Sequence, residues 1–188
     1  MAIVHETKYI LAEALLQICT EKRFKKVSIS MITAHCALNR QTFYYHFADK
    51  YELLAFTYAT HALAELDDST TLENWEQHTA SMLVAIKEAR AFYRNTTCDE
   101  VAVLAETFST ITTRLLLEMF ERLDINHQIE KNNREFYARF FSYGCSGVLI
   151  DWIYSDFKAS PEVIAESLHR LAKDVELIAY HRYVSLDN

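Results

Sequence analysis

Residues 38–53 read LNRQTFYYHFADKYEL, and the fold turns on how this stretch is parsed. Asn39 suits a helix N-cap, and Asp49 suits a second one, with Glu52 in the first turn that Asp49 opens. Between the caps lies a helix of about two turns, 40–47, too short to be stable alone, so neighbouring elements must hold it. Phe43 and Phe47 sit one helical turn apart and are expected to pack. The other positions, Arg40, Gln41, Thr42, Tyr44, Tyr45 and His46, carry donors and acceptors for base edges and hydroxyls for phosphates.

The residues upstream fit a recognition helix. Ser28 can cap a helix running to about residue 35, with Ile29, Met31 and Ile32 as its apolar positions. Residues 35–38 then make a tight connection into Asn39, giving helix, short turn and short polar helix, which is a helix-turn-helix. Before it, Ile10, Leu11, Ala14, Leu15 and Ile18 recur at helical spacing and predict a helix over 5–21. The basic run KRFKK, 22–26, joins the two, with Phe24 as an apolar anchor.

On these residues the first sixty positions resemble the DNA-binding domain of the TetR family of bacterial transcription regulators. The resemblance is carried by VSISMITAHCALNRQTFYYHFADKYEL, 27–53, by the amphipathic helix before it and by Phe24; the TFYYHF-x-D-K-x-E-L run, 42–53, is its most specific part. It implies an all-α fold, with a DNA-binding head over 1–50, a linking helix over 50–66 and a helical dimerisation and effector body over 67–188. It also implies double-stranded operator DNA as partner. Resemblance and chemistry together put Ser28, Asn39, Arg40, Gln41, Thr42, Tyr44, Tyr45, His46 and Lys50 at the DNA. Ser28 and Lys50 serve as phosphate anchors, the start of the recognition helix reaches bases, and one of the two tyrosines is expected to pack. Two positions depart from the family pattern. Ala37 stands where the turn usually has Gly, at a cost of roughly 1 kcal/mol if the left-handed backbone is kept. Gln41 also often replaces a Gly, so the operator sequence cannot be copied from relatives.

Composition agrees. Hydrophobic content of 51% with 24% charged residues is globular, and two Gly and one Pro in 188 residues point to long helices with few turns. The net charge of −7 is unevenly spread: residues 1–50 hold seven Lys/Arg against four Asp/Glu, whereas 51–188 hold twelve against twenty-two. The basic excess therefore falls on the helix-turn-helix, as phosphate binding requires. Uncharged runs such as 28–39 and 53–64 fall short of the roughly 18 residues of a membrane span. MAIVHETKY has no signal-peptide pattern, so a cytoplasmic protein with no membrane association is expected. Cys19, Cys36, Cys98 and Cys145 are widely spaced and read as reduced thiols.

Further along, helices are expected over 50–65, 73–93, 99–123, 128–154 and 161–183. Polar breaks separate them at 67–72, 94–98 and 124–127. The 128–154 helix is apolar on nearly all sides between Phe136 and Trp152, and it carries both glycines. Such a helix needs cover on all sides. A two-fold homodimer through the last two helices supplies that cover, and the TetR resemblance implies the same pairing. Gly144, Gly147, Val148, Leu168, Leu171 and Val175 are the expected contacts. The family also implies a small-ligand pocket in the body, for which Phe92, Tyr93, Phe108, Tyr137, Phe141 and Trp152 are the candidate aromatic lining. The segment YGCSGVLIDWI, 143–153, resembles a branch that includes activators of dihydroxyacetone-kinase operons, which keeps a protein co-activator open beside a small molecule.

No catalytic, metal-binding or cofactor-binding residues are proposed. The chain has no HExxH, paired-cysteine spacing, phosphate-cradling Gly-rich loop or nucleophile elbow, so an enzyme is not expected. The alternative to a regulator is a helical protein-interaction module that has lost DNA binding through the altered turn at Ala37.

Overall fold

The computed structural model describes residues 2–67, 69–71, 73–123 and 130–184. Side chains are described for all of these except 2–5, 119, 122, 123 and 175–184. The described residues form eight α-helices: α1 Ala2–Glu21, α2 Ile29–His35, α3 Arg40–His46, α4 Lys50–Thr60, α5 Trp75–Glu88, α6 Arg90–Leu123, α7 Lys131–Tyr154 and α8 Pro161–Val184. Among the described residues there is no strand. None of these helices is long and apolar enough to cross a membrane.

In the head, α1 packs on α2 and α4, and α2 packs on α3. Leu11, Leu15, Phe24, Ile32, Phe43, Leu53 and Leu54 are all fully buried. All three short helices start where the cap pattern predicts. Ser28 Oγ accepts from the Met31 N–H at 3.3 Å, and Asn39 Oδ1 accepts from the Thr42 N–H at 2.7 Å. Asp49 Oδ1 accepts from the N–H groups of Tyr51 and Glu52, at 2.8 and 2.9 Å. Each bond meets one of the orphan donors at a helix start.

In the body, α7 packs chiefly on α6, and α8 on α5. At the centre of the α6–α7 contact, Ser142 Oγ donates to the Ser109 carbonyl at 2.9 Å and pairs with the Thr112 hydroxyl, also at 2.9 Å. One core runs through both parts: Tyr58 on α4 stacks on Tyr93 of α6, centroids 5.5 Å apart, and meets Phe92 edge-on at 5.6 Å.

Several body boundaries differ from expectation. The helix α4 stops at Thr60, not near 65, and a short 3-10 turn, Leu63–Glu65, follows. The hydroxyls of Thr57 and Thr60 donate back to the carbonyls of Leu53 and Phe56, which weakens helix propagation. The larger correction concerns 94–98, expected as a break and found helical. The real break is at Ala89, between α5 and α6, and α6 kinks only at Glu100 (φ −143°, ψ 58°). The polar run survives because its side chains find partners. Thr96 and Thr97 donate to carbonyls one turn back, at Phe92 and Tyr93. Asn95 Nδ2 donates to the Cys19 carbonyl at 2.9 Å, which meets an orphan acceptor at the end of α1. The expected break at 124–127 and the expected helix start at 128 lie outside the described residues.

Candidate functional site

The turn between α2 and α3 keeps the left-handed geometry without a glycine: Ala37 has φ 54°. The Leu38 N–H donates to the Thr33 carbonyl at 2.8 Å and the Ala37 N–H to the Ala34 carbonyl at 3.3 Å, the paired bonds of a Schellman helix end. Those two bonds hold the turn that sets α3 against α2.

The seven residues of α3 divide cleanly into two faces. Phe43 and, just past the helix end, Phe47 are buried, with centroids 6.0 Å apart. Arg40 and Gln41 are exposed, Thr42 and His46 are half-buried, and Tyr44 and Tyr45 are 50% and 74% exposed. The expectation that one of these tyrosines packs is therefore corrected: both point outward, because Phe43 and Phe47 already fill the space beneath the helix. Arg40 Nη2 lies 3.4 Å from Tyr44 Oη, and its guanidinium is 6.0 Å from that ring, so two candidate contact residues brace each other. The Thr42 hydroxyl donates to Asn39 Oδ1 at 3.0 Å, which ties it to the cap. Burial, with Lys8 nearby, pulls the His46 pKa down.

Lys50 is placed differently from expectation. Its Nζ donates to the carbonyls of Phe24 and Val27, at 3.0 Å each, and lies 4.4 Å from the Phe24 ring centroid. Two of its three N–H groups thus hold the basic connection onto α4. Removing Lys50 would therefore loosen this connection within the head.

The head is joined to the body at the same connection. Arg23 pairs with Asp99 and donates to the Cys98 carbonyl, and the Lys25 N–H donates to the second oxygen of Asp99 at 2.9 Å. The Lys25 amide, with the Arg23 guanidinium beside it, holds the Asp99 carboxyl below the usual carboxylate range. Asp99 immediately precedes the kink at Glu100. Pairwise spacing in the sequence carries no sign of this joint, since its partners are more than seventy residues apart.

In the body, α5, α6, α7 and α8 surround a cavity of about 120 Å³ with an almost wholly apolar wall. Of the six aromatics expected there, Phe108 and Phe141 line it and the other four do not. Phe92 and Tyr93 are fully buried against Tyr58, because α6 begins at Arg90 and turns both toward α4. Trp152 lies on Phe157, centroids 4.9 Å apart, and its Nε1 donates to the Ala159 carbonyl at 3.0 Å, closing the turn into α8. Tyr137 is half-buried beside Phe136.

The residues expected at a dimer contact fall into two groups. Gly144 and Gly147 are on the exposed face of α7, and a Cβ at either would meet no atom of the described residues within 4 Å. Phe136, Phe140 and Tyr143 share that face at 64%, 64% and 61% exposure. Val148, Leu168 and Leu171 instead reach the cavity wall, with Val148 and Leu171 still exposed on their outer sides. The side chain of Val175 lies outside the described residues.

Family comparisons decide what this arrangement is. The family model described as "Transcriptional regulator C-terminal region" matches residues 73–174, and the one described as "Bacterial regulatory proteins, tetR family" matches 11–55. The chain belongs to the tetR family of bacterial regulatory proteins. The 11–55 match covers both helices of the helix-turn-helix. A similar curated protein is the HTH-type dhaKLM operon transcriptional activator DhaS of Lactococcus lactis subsp. lactis (strain IL1403), 25% identical over 88 residues. That match covers 47% of this chain and 47% of the relative, so the chain spans about half the length of the curated relative it matches. Two solved structures share the fold. A dihydroxyacetone kinase operon activator DhaS superposes with a TM-score of 0.67 at 17% identity, covering 92% of this chain and 97% of that one. A transcriptional regulator from Pseudomonas aeruginosa PAO1 gives 0.58 at 15% identity, covering 95% and 94%.

Proposed function

We propose that this regulator binds a (pseudo)palindromic operator as a homodimer, reading bases with Arg40, Gln41 and Thr42. Tyr44, Tyr45 and His46, with Ser28, Asn39 and the remaining N–H of Lys50, hold the sugar-phosphate backbone. Residues 1–50 form the reading head, α4 links it, and residues 67–188 form the body that pairs and senses. The carrying observation is the outward face of α3: exposed polar and aromatic side chains on a helix locked by its cap and by Phe43. Pairing is supported by the apolar α7 face, which the chain itself leaves uncovered around Gly144 and Gly147. Regulation in the cytoplasm, not catalysis, is the proposed activity.

Two recognition helices reading one operator must sit about one DNA turn apart, roughly 34–36 Å. A signal received in the body would change that separation through α4 and the Arg23–Asp99 joint. The apolar cavity favours a small molecule as the signal over a protein co-activator. Selection of bound DNA from a random pool, followed by gel shifts with wild type and Arg40→Ala, tests the reading. A selected inverted repeat whose affinity drops in Arg40→Ala supports it. An Arg40→Ala protein that binds the selected DNA unchanged refutes the base-reading assignment.

A further inference from the structure

Lys8 belongs to α1, yet its charge lies at the C-terminal end of α3. Its Nζ is 5.4 Å from the ring centroid of Phe47, the residue that closes α3, and 5.7 Å from that of Phe56 on α4. Those two rings pack on each other, centroids 5.4 Å apart, and Tyr9 meets Phe56 edge-on at 5.5 Å. A lysine stem suits such a surface while its charged head stays in water. The rings attract the ammonium and fix its position, but take none of its three N–H donors. Among the described residues Lys8 forms no ion pair. His46, the last residue of α3, feels this charge: after burial, Lys8 is what pulls its pKa down. Tyr45 meets the His46 ring edge-on at 5.0 Å, so the outward row of α3 ends beside a fixed cation.

An anion at this end needs such a cation. The last carbonyls of a helix carry a partial negative charge. The carboxylates of Asp49 and Glu52 follow directly, engaged with the N–H groups of Tyr51, Glu52 and Ala48. The next cation along the chain, Lys50, is turned inward onto the carbonyls of Phe24 and Val27. A phosphate approaching the end of α3 is therefore repelled unless another element supplies charge, and α1 supplies it through Lys8. We propose that Lys8 is a further DNA-contacting residue, whose ammonium together with His46 holds one backbone phosphate where the duplex passes the end of α3. This deepens, and rests on, the reading of α3 as the recognition helix. A phosphate contact positions the protein and carries no base information, so Lys8 strengthens binding to every sequence. It pins the end of α3 opposite to the one that reads bases.

The test is fluorescence anisotropy of the intact protein between 50 and 200 mM salt, on an operator selected from a random pool and on an unrelated duplex. Lys8→Met keeps a stem over both rings and deletes the charge. It should lower the salt slope by about 0.9 per head, or about 1.8 for an operator bound by two chains, so wild type loses roughly tenfold more affinity than the variant across that range. Both duplexes should be affected alike, Lys8→Arg should restore the slope, and the melting temperature without DNA should not change. If Lys8→Met melts earlier, Lys8→Gln takes its place. His46→Asn should weaken binding in the wild-type background and weaken it much less in Lys8→Met, because the two side chains share one phosphate. An unchanged salt slope in Lys8→Met, a loss confined to the operator, or fully additive losses in the pair would each overturn the proposal, and operator binding by wild type would leave the recognition-helix reading standing. A wild-type protein that selects no DNA overturns both.

Discussion

Head and body handle their polar and apolar groups in opposite ways. In the head, almost every polar side chain near a helix end is used by the head itself. Ser28, Asn39 and Asp49 meet helix-start donors, and Lys50 meets two carbonyls of the basic connection. What stays outward is a short row on α3. In the body, α5 and α7 start without a side-chain cap bond and are held by packing along their length. What stays unmatched there among the described residues is mainly apolar: the open α7 face and the cavity wall. The head is thus complete as a single chain and offers polar groups to a polar partner. The body leaves an apolar face and an apolar cavity open, where the proposed second copy and small molecule would sit.

The sharpest way to break this contrast is Gly147→Arg. A Cβ there meets nothing within 4 Å among the described residues, so the monomer should fold with wild-type helicity by circular dichroism. Burying an unpaired charge at the proposed contact should cost roughly 3–5 kcal/mol, enough to leave a monomer in sedimentation at tens of micromolar. A Gly147→Arg protein that still sediments as a dimer would put the contact elsewhere. Next in size, Arg40→Ala and Gln41→Ala should each lose roughly 1–3 kcal/mol of specific operator affinity while non-specific binding changes little, as read by competition gel shifts.

Lys50→Met separates the head's internal use of this lysine from its use at a phosphate. Loss of two charge-assisted bonds should destabilise the head by about 1–3 kcal/mol in urea unfolding, with at most one unit off the salt slope of DNA binding. An unchanged unfolding midpoint would contradict the two carbonyl contacts. A smaller change in the opposite direction is expected from Ala37→Gly, which should stabilise the head by about 1 kcal/mol because φ 54° suits glycine. The smallest effect is expected from Asp99→Asn, within about 1 kcal/mol near neutral pH. The Asp99 carboxyl titrates lower when folded than when unfolded. Its contribution is therefore complete above the ordinary carboxylate value of 3.8 and is lost as pH falls through the lower folded value. Unfolding midpoints measured from neutral pH down to pH 3 should show a flatter acid limb in Asp99→Asn.

The same contrast decides what could be read without coordinates. The head was legible because its information is local: each cap acts within three residues, and the Phe43–Phe47 pair lies one turn apart. Even there the fate of Lys50 was hidden, since the carbonyls it meets belong to positions 24 and 27. In the body, local polarity misled. The run at 94–98 reads as a break, yet Asn95 is drawn into a helix by an acceptor at Cys19, far away in sequence. That shift of the helix start is also why Phe92 and Tyr93 belong to the head–body core and not to the cavity. The cavity itself rests on Thr70 and residues from four helices, a grouping that no spacing announces.

In the proposed function, two capped recognition helices on a paired body read one operator. Selection from a random DNA pool, with the bound species sized by sedimentation, tests it most directly. The expected result is an enriched inverted repeat whose half-site centres lie one helical turn apart, roughly 34–36 Å, bound by two chains. Enrichment of a lone half-site bound by one chain, or no enrichment at all, would contradict it.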